Sequence, residues 1–294
     1  MDKFCLLMAV QALTMWGKMT KENFNQPIAI FAGRGFLPKM LIDDCQKNNR
    51  KFQLFLLESE EYEIDYSAFN PIKLPYGAVT KFLEILHEKQ IQSLVFIGAV
   101  NKPNFSAIKV DKKGAILLTK ILASKILGDN AVLRTVINFF EKEGLKILRI
   151  DEILSDIVAK KSVLTKTQPN KGDIEDIEIA KKAIHIFSEF DVGQSVIVAQ
   201  KQILAVEALE GTDEMIKRCS KLKVDYKQNA ILVKIKKFRQ SSKADLPTIG
   251  VETVNNCYQN GIKGIAIQAG ATLIIHKDEV IELADKLGIF LIAL

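Results

Sequence analysis

The strongest constraint on the fold is a short apolar strand followed at once by a glycine turn and a helix. Residues 28–32 are apolar throughout, which is typical of a strand buried on both faces of a parallel sheet. Gly33 and Gly35 follow directly, and residues 37–47 have helical spacing. This unit opens Rossmann-like domains. The pattern lacks the third glycine of a dinucleotide fingerprint, so a tight turn explains the two glycines as well as a nucleotide does.

Strands and helices continue to alternate up to residue 150. We predict strands at 52–57, 93–98 and 146–150, and helices at 77–89, 115–127 and 131–143. This order indicates a doubly wound α/β domain with a parallel sheet. Asn101 follows the strand at 93–98, at the edge where such sheets bind ligands, and is a candidate contact. A plain polar loop before Pro103 explains it equally well.

Composition changes after residue 153, and residues 155–173 are polar and rich in lysine and turn residues. We therefore predict a Rossmann-like domain over 19–154 and a distinct α/β domain over 155–294. In the second half we predict helices at 174–187, from about 215, at 251–260 and at 278–286, and strands at 195–199, 203–208, 230–235, 265–268, 273–275 and 290–294. The sequence does not reveal how these strands pair.

Charge and cysteine usage narrow the classes of partner and metal. The net charge of +6 favours anionic ligands, and the few aromatic residues (7%) are not interleaved with the basic run, which argues against nucleic acid. The four cysteines and three histidines are scattered, which indicates free thiols in a reducing, cytoplasmic compartment. Any metal is then a hard cation on oxygen ligands.

Membrane insertion is not predicted, because no run of eighteen apolar residues occurs. Residues 1–18 form an apolar-rich N-terminal extension of doubtful role. An upstream extension or a wrongly chosen start is the preferred explanation, with a signal-like segment or a weak amphipathic membrane contact left open.

A basic run at 234–239 precedes an isolated acid, Asp245, which is followed by Thr248 and Gly250. Cations beside one carboxylate suit a phosphate-bearing substrate, with the acid left to hold a metal or to orient water. The alternative is a solvated charged loop that enters a capped helix.

A second polar group, residues 210–213 (Glu-Gly-Thr-Asp), lies at the mouth of a predicted helix. Thr212 and the backbone N–H groups suit a phosphate, with Glu210 or Asp213 on a magnesium ion. The alternative is that Thr212 or Asp213 caps the helix.

Several blocks together resemble one family. They are residues 31–38, 98–105, 140–144, 191–194, 205–213 and 245–250. The chain resembles the LpxI-type UDP-2,3-diacylglucosamine pyrophosphatases of lipid A biosynthesis from about Pro27 onward. The resemblance implies Mg²⁺-dependent (or Mn²⁺-dependent) hydrolysis to UMP and 2,3-diacylglucosamine 1-phosphate, lipid X, with the lipid held between two domains.

The resemblance also implies roles for particular residues. Asp245 matches the essential aspartate and is expected to be catalytic, and Asp245 and Asp213 are the expected metal ligands. The expected substrate contacts are Gly33, Gly35, Asn101, Glu210, Gly211, Thr212, Lys234, Lys237, Gln240 and Thr248. Relatives carry prolines among the residues that match 234–240. This chain keeps Lys234, Lys237 and Gln240 but not those prolines, which puts the rigidity of that loop in question.

The implied partner is a lipid-linked UDP-sugar, which suits a cytoplasmic protein in peripheral contact with the cytoplasmic face of the inner membrane. A homodimer is compatible with the sequence. A protein that binds or carries a lipid-linked sugar phosphate without cleaving it would need the same basic loop. A nicotinamide-dependent oxidoreductase rests on the glycine turn alone.

Overall fold

The structure, a computed structural model, describes residues 26–101, 104, 108–124, 129–190, 192–222, 229–237 and 246–294. The chain divides into two compact units, described one at a time. The first runs up to residue 112 and includes 144–146, and the second comprises 113–143 and 147–294. The predicted fold class, a Rossmann-like domain with a parallel sheet followed by a distinct α/β domain, is confirmed. The domain boundary after residue 154 stays a prediction.

The first sheet has the strand order of a Rossmann-like domain. Its elements are β1 (Ile28–Ala32), α1 (Leu37–Lys47), β2 (Phe52–Leu57), β3 (Ile72–Leu74), α2 (Val79–Glu88), β4 (Ser93–Ile97) and β5 (Lys146–Ile147). The strands lie in the order β3-β2-β1-β4-β5, and β1 pairs in parallel with both β2 and β4. The sequence did not predict β3, because its three residues lie between Pro71 and Pro75 and show no periodicity.

The opening strand, turn and helix fold as predicted. In β1, Ile28, Ala29, Ile30 and Ala32 are completely buried, as expected of a central parallel strand. Helix α1 carries Pro38 in its first turn, where no intrahelical N–H bond is lost, and buries a stripe of apolar residues against the sheet. Helices α3 (Lys112–Ser124) and α4 (Asp129–Lys142) lie between β4 and β5 in the chain, and α5 (Ile150–Ile153) follows β5.

The second unit is built on a mixed six-stranded sheet. Its elements are β6 (Ser162–Val163), α6 (Lys171–Phe187), β7 (Ser195–Ala199), β8 (Gln202–Val206), α7 (Gly211–Ser220), β9 (Ala230–Lys234), β10 (Thr248–Ile249), α8 (Val251–Gln259), β11 (Ile262–Ile267), β12 (Leu273–Ile274), α9 (Lys277–Leu287) and β13 (Phe290–Ala293). The order is β6-β13-β11-β9-β7-β8, and β10 pairs separately with β12. Strands β9, β11 and β13 are parallel, whereas β6 and β7 run antiparallel to their neighbours.

Two apolar layers cover this sheet. One joins it to α7, α8 and α9 through residues such as Met215, Val254 and Val280. The other joins it to α6 through Ile177, Ala180 and Ile184. The helices that connect β8 to β9, β9 to β11 and β11 to β13 therefore all lie on one face.

This topology brings one end of several strands to a common edge. Strands β8, β9 and β11 run in the same direction and end there, and the antiparallel β7 begins there. Ser195, Glu207, Lys234 and Gln268 consequently lie side by side at the carboxyl edge of the parallel strands, although long stretches of chain separate them. Ligands of α/β sheets bind at this edge.

Candidate active site

The glycine turn after β1 has a backbone explanation. A Cβ on Gly33 would lie 2.3 Å from the carbonyl oxygen of Ala99, because Arg34 and Ala99 form an isolated antiparallel bridge. Gly35 has a φ of +90°, and its N–H donates to the Glu63 carboxylate at 3.1 Å. That hydrogen bond lowers the pKa of Glu63. Both glycines thus serve the turn itself, and their contact with substrate stays a prediction.

Asn101 is part of a polar cluster around the buried Glu60 (the Glu60 cluster: Arg34, Glu60, Tyr76 and Asn101). Glu60 accepts from the backbone N–H and the side-chain amide of Asn101, each at 3.0 Å. Arg34 forms an ion pair with Glu60 (Nε to Oε2, 3.2 Å) and donates to Asn101 Oδ1 at 2.7 Å. Tyr76 donates to Glu60 at 2.6 Å. The predicted contact Asn101 is therefore held firmly at the edge of the first sheet.

Sequence reasoning did not find Glu60, Arg34 or Tyr76. Burial, reinforced by the hydrogen bond to Glu60, raises the pKa of Tyr76. Glu60 itself is only 8% exposed, which is rare for an acid unless cations and donors surround it. Its partners are distant in the chain, so no local pattern marks it.

In the second unit, Thr212 lies at the centre of a hydrogen-bonded group. Its hydroxyl is 3.1 Å from Glu207 Oε1 and 3.2 Å from Ser195 Oγ. The other Glu207 oxygen accepts from the backbone N–H of Gln194 at 3.1 Å. Glu207 is 8% exposed and Ser195 is completely buried. We call Ser195, Glu207 and Thr212 the Glu207 cluster.

This geometry corrects one alternative from the sequence. Neither Thr212 nor Asp213 caps α7, because the cap position is Glu210 and no side-chain cap bond forms there. Thr212 instead turns toward β7 and β8, and Gly211, with a φ of +82°, makes the turn into the helix. The Glu210 carboxylate accepts from Arg218 at 2.8 Å, and this hydrogen bond lowers the pKa of Glu210.

Lys234 and Asp213 lie beside the Glu207 cluster. Lys234 ends β9 directly opposite Ser195 in the register and is 9% exposed. Asp213 is exposed in the first turn of α7 and accepts from the Asn256 amide at 2.9 Å. Burial raises the pKa of Cys257, and the Asp213 charge adds to this shift while Lys234 opposes it.

The remaining predicted contacts are only partly described. Lys237 follows β9 and is half-buried, and Thr248 lies in β10, where its hydroxyl donates to the Leu246 carbonyl at 3.1 Å. Gln240 and Asp245 lie outside the described residues, so their expected roles stay predictions. The described residues on either side of them are Lys237, which follows β9, and Leu246, which precedes β10.

The oxygen donors near Thr212 fit a hard divalent cation. In the described ranges no three His, Cys, Asp or Glu side chains come together as a metal cluster. Mg²⁺ in phosphate sites, however, is commonly held by one or two carboxylates, water and the substrate phosphates. Asp213 suits that mode, because among the described residues only its Oδ1 accepts a hydrogen bond, which leaves Oδ2 for a cation.

None of the helices in the described ranges combines the length and the apolar character that a bilayer crossing requires.

Comparison with known proteins agrees with the two-part organisation. Residues 27–157 match the LpxI N-terminal domain, and residues 160–292 match the LpxI C-terminal domain. A relative from Caulobacter vibrioides, named UDP-2,3-diacylglucosamine pyrophosphatase LpxI, is 32% identical over 270 residues, which cover 90% of this chain and 96% of the relative. A pyrophosphatase is a hydrolase, so the expected class of protein, an enzyme that hydrolyses a phosphoanhydride, is confirmed. The chain belongs to the LpxI family.

Proposed function

We propose that this chain hydrolyses the pyrophosphate bond of UDP-2,3-diacylglucosamine to give UMP and 2,3-diacylglucosamine 1-phosphate. The observation that carries the proposal is the 32% identity to a relative named for this substrate, spread over 90% of the chain. The carboxyl edge of the second sheet supports it, because Lys234 and one exposed acid, Asp213, lie there. Such groups suit the diphosphate of a lipid-linked sugar nucleotide.

In the proposed reaction, water adds to one phosphorus atom and the bridging oxygen leaves with the other phosphate. Lys234 and Lys237 bind the non-bridging oxygens and stabilise the negative charge that they carry in the transition state. Asp245 would accept the proton of the attacking water or hold the metal, and Asp213 would be a metal ligand. When bound, Mg²⁺ or Mn²⁺ supplies positive charge that makes phosphorus more electrophilic.

The test is a UMP-release assay with purified protein and Mg²⁺. We expect turnover by the wild type and a loss of about 10²–10⁴-fold in Asp245→Ala, the range for removal of a general base. Asp278→Asn, an exposed acid in the first turn of α9, is the matched control and keeps the wild-type rate. Full activity in a folded Asp245→Ala would remove Asp245 from the mechanism.

The same assay decides between hydrolysis and carriage of the lipid. A carrier would bind UDP-2,3-diacylglucosamine tightly, release no UMP and be indifferent to Mg²⁺. Calorimetry with and without Mg²⁺ measures that binding directly, and tight binding without turnover would overturn the proposed hydrolysis.

A further inference from the structure

The hydrogen bonds of the Glu207 cluster have a definite direction. A carboxylate only accepts hydrogen bonds, so the contact of 3.1 Å between Glu207 Oε1 and Thr212 Oγ1 requires the threonine proton. Thr212 then has no proton left for Ser195, and Ser195 must be the donor across the 3.2 Å between the two hydroxyls. The protons therefore point from Ser195 to Thr212 to Glu207.

This direction determines what Thr212 can offer to a ligand. Its only proton is used inside the protein, so its hydroxyl cannot donate to a phosphate oxygen. What it presents is an oxygen lone pair, which suits a cation or an N–H donor. The sequence suggested that both the Thr212 hydroxyl and the backbone N–H groups around it could bind a phosphate. The direction of the hydrogen bonds leaves only the backbone N–H groups for that role.

Glu207 is too enclosed to act on substrate itself. Its backbone is fixed on both sides, since Gly193 N–H donates to its carbonyl at 3.0 Å and its own N–H donates to the Ser195 carbonyl at 2.9 Å. A Cβ on Gly193 would lie 2.5 Å from the Glu207 Cβ, so the glycine packs directly on this side chain. Both carboxylate oxygens already accept hydrogen bonds.

We propose that Glu207 is a positioning residue that acts through Thr212. Its carboxylate takes the Thr212 proton, and it thereby holds the hydroxyl oxygen as an acceptor beside Lys234 and Asp213 at the carboxyl edge of the sheet. The proposal deepens the proposed function and rests on it for the identity of the substrate. It assigns Glu207 no contact with the reacting atoms.

Glu207→Gln is the informative substitution, because it keeps the shape and removes one acceptor. A carboxamide has one accepting and one donating end, so it cannot accept from both Gln194 and Thr212. If its NH₂ faces Thr212, the hydroxyl must turn its proton away and the direction of the hydrogen bonds reverses. We expect kcat to fall by about tenfold to a hundredfold, as for a small misplacement in a site.

A double-mutant cycle with Thr212→Val tests whether Glu207 acts through Thr212. If it does, the double variant is no slower than the slower single variant, because each change removes the same oriented hydroxyl. Thr212→Ser keeps the hydroxyl and both hydrogen bonds, so it retains a rate close to that of the wild type. Losses that multiply in the double variant, or a wild-type kcat in folded Glu207→Gln, would overturn the proposal.

Two controls separate positioning from stability. Asp176→Asn weakens another buried carboxylate that accepts two backbone N–H groups, at the opposite end of β7, and should lower the melting temperature without changing kcat. Glu214→Gln alters an exposed acid of α7 that pairs with Lys217 and should change neither. An equal loss of kcat in Asp176→Asn would reduce Glu207 to a structural role.

A second readout keeps this test separate from the test of the proposed function. If the wild type releases no UMP, the proposed hydrolysis fails, and the same cycle is then measured by calorimetry of UDP-2,3-diacylglucosamine binding. Non-additive losses of affinity in Glu207→Gln and Thr212→Val would still support positioning. Additive losses, or none, would overturn it whether or not the bond is cleaved.

Discussion

At the scale of single residues, buried carboxylates organise both sheet edges. Glu60 in the first unit and Glu207 in the second each accept hydrogen bonds at both carboxylate oxygens. The cost of burying a charge is offset only when every acceptor finds a donor. Removing one donor from such a group therefore destabilises more than the loss of an exposed hydrogen bond does.

Tyr76→Phe tests this in the Glu60 cluster. The variant loses the one hydroxyl donor that lies 2.6 Å from Glu60 Oε1 and 2.9 Å from the Asn101 carbonyl, and we expect its free energy of unfolding at pH 7 to fall by about 1–3 kcal/mol. Urea unfolding measures the change, and Tyr258→Phe, at an exposed tyrosine, is the control. An unchanged free energy of unfolding would show that the cluster tolerates the missing donor.

The same tyrosine predicts a pH dependence. Its pKa is raised above the ordinary value of 10.0, so its contribution to stability is fully present below pH 10 and is lost as the pH rises through the folded-state pKa. Tyr66, raised to about 12 by burial, acts in the same direction. We expect the stability of the wild type to fall above pH 10, and that of Tyr76→Phe to fall less steeply. Equal slopes from pH 9 to 11 would contradict this.

Residue-level prediction from the sequence depends on local patterns, and the substrate contacts predicted for Thr212 and Asn101 stay predictions. These two residues were singled out because one lies at a helix mouth and the other at a strand end. Glu60 and Ser195 were not, because their roles depend on partners 41 and 17 positions away. No periodicity or turn signal records such contacts.

At the scale of elements, the β7–β8 hairpin shows a turn supported from outside. Gln200 and Lys201 both have positive φ (48° and 64°), which non-glycine residues adopt at a cost. Asp176 of α6 accepts from both of their N–H groups, at 2.8 and 2.6 Å. The sequence predicted the two strands, but only the structure shows that they pair as a hairpin and that a helix residue stabilises its turn.

Asp176→Asn should therefore loosen this turn. The amide keeps one acceptor for two donors, and we expect a loss of about 1–3 kcal/mol in the free energy of unfolding. Thermal and urea unfolding measure it against Glu178→Gln, an exposed acid on the same helix. Hydrogen exchange at Gln200 and Lys201 should accelerate in the variant, and unchanged exchange would show that the strands alone fix the turn.

Element prediction was accurate where apolar periodicity was strong and failed where strands were short. β1, β2 and β7 begin and end at the predicted residues. β5 is shorter than predicted, because Ile150 begins a helix instead of ending a strand. The strand order in the second sheet could not be predicted. Strands β8 and β9 are consecutive in the chain, but β7 lies between them in the sheet, and no local pattern indicates this.

At the scale of the whole molecule, the net charge of +6 predicts affinity for anionic surfaces. Peripheral contact with the inner membrane, a cytoplasmic location and a homodimer remain predictions. We expect the protein to co-sediment with vesicles that contain phosphatidylglycerol and not with neutral phosphatidylcholine vesicles. Because the Debye length shrinks to about 3 Å at 1 M salt, binding should be lost there. Equal binding to neutral vesicles would assign the contact to apolar residues instead of charge.

The position of β13 in its sheet has a consequence for biosynthesis. This strand lies between β6 and β11, so the six-stranded sheet has a gap until residues 290–293 have left the ribosome. The first sheet, in contrast, has its last strand by Ile147. We infer a vectorial order in which the first sheet forms during translation, while β6 and the edge of β11 wait unpaired for a late strand. A nascent chain stalled before residue 290 should thus be the species most in need of chaperones.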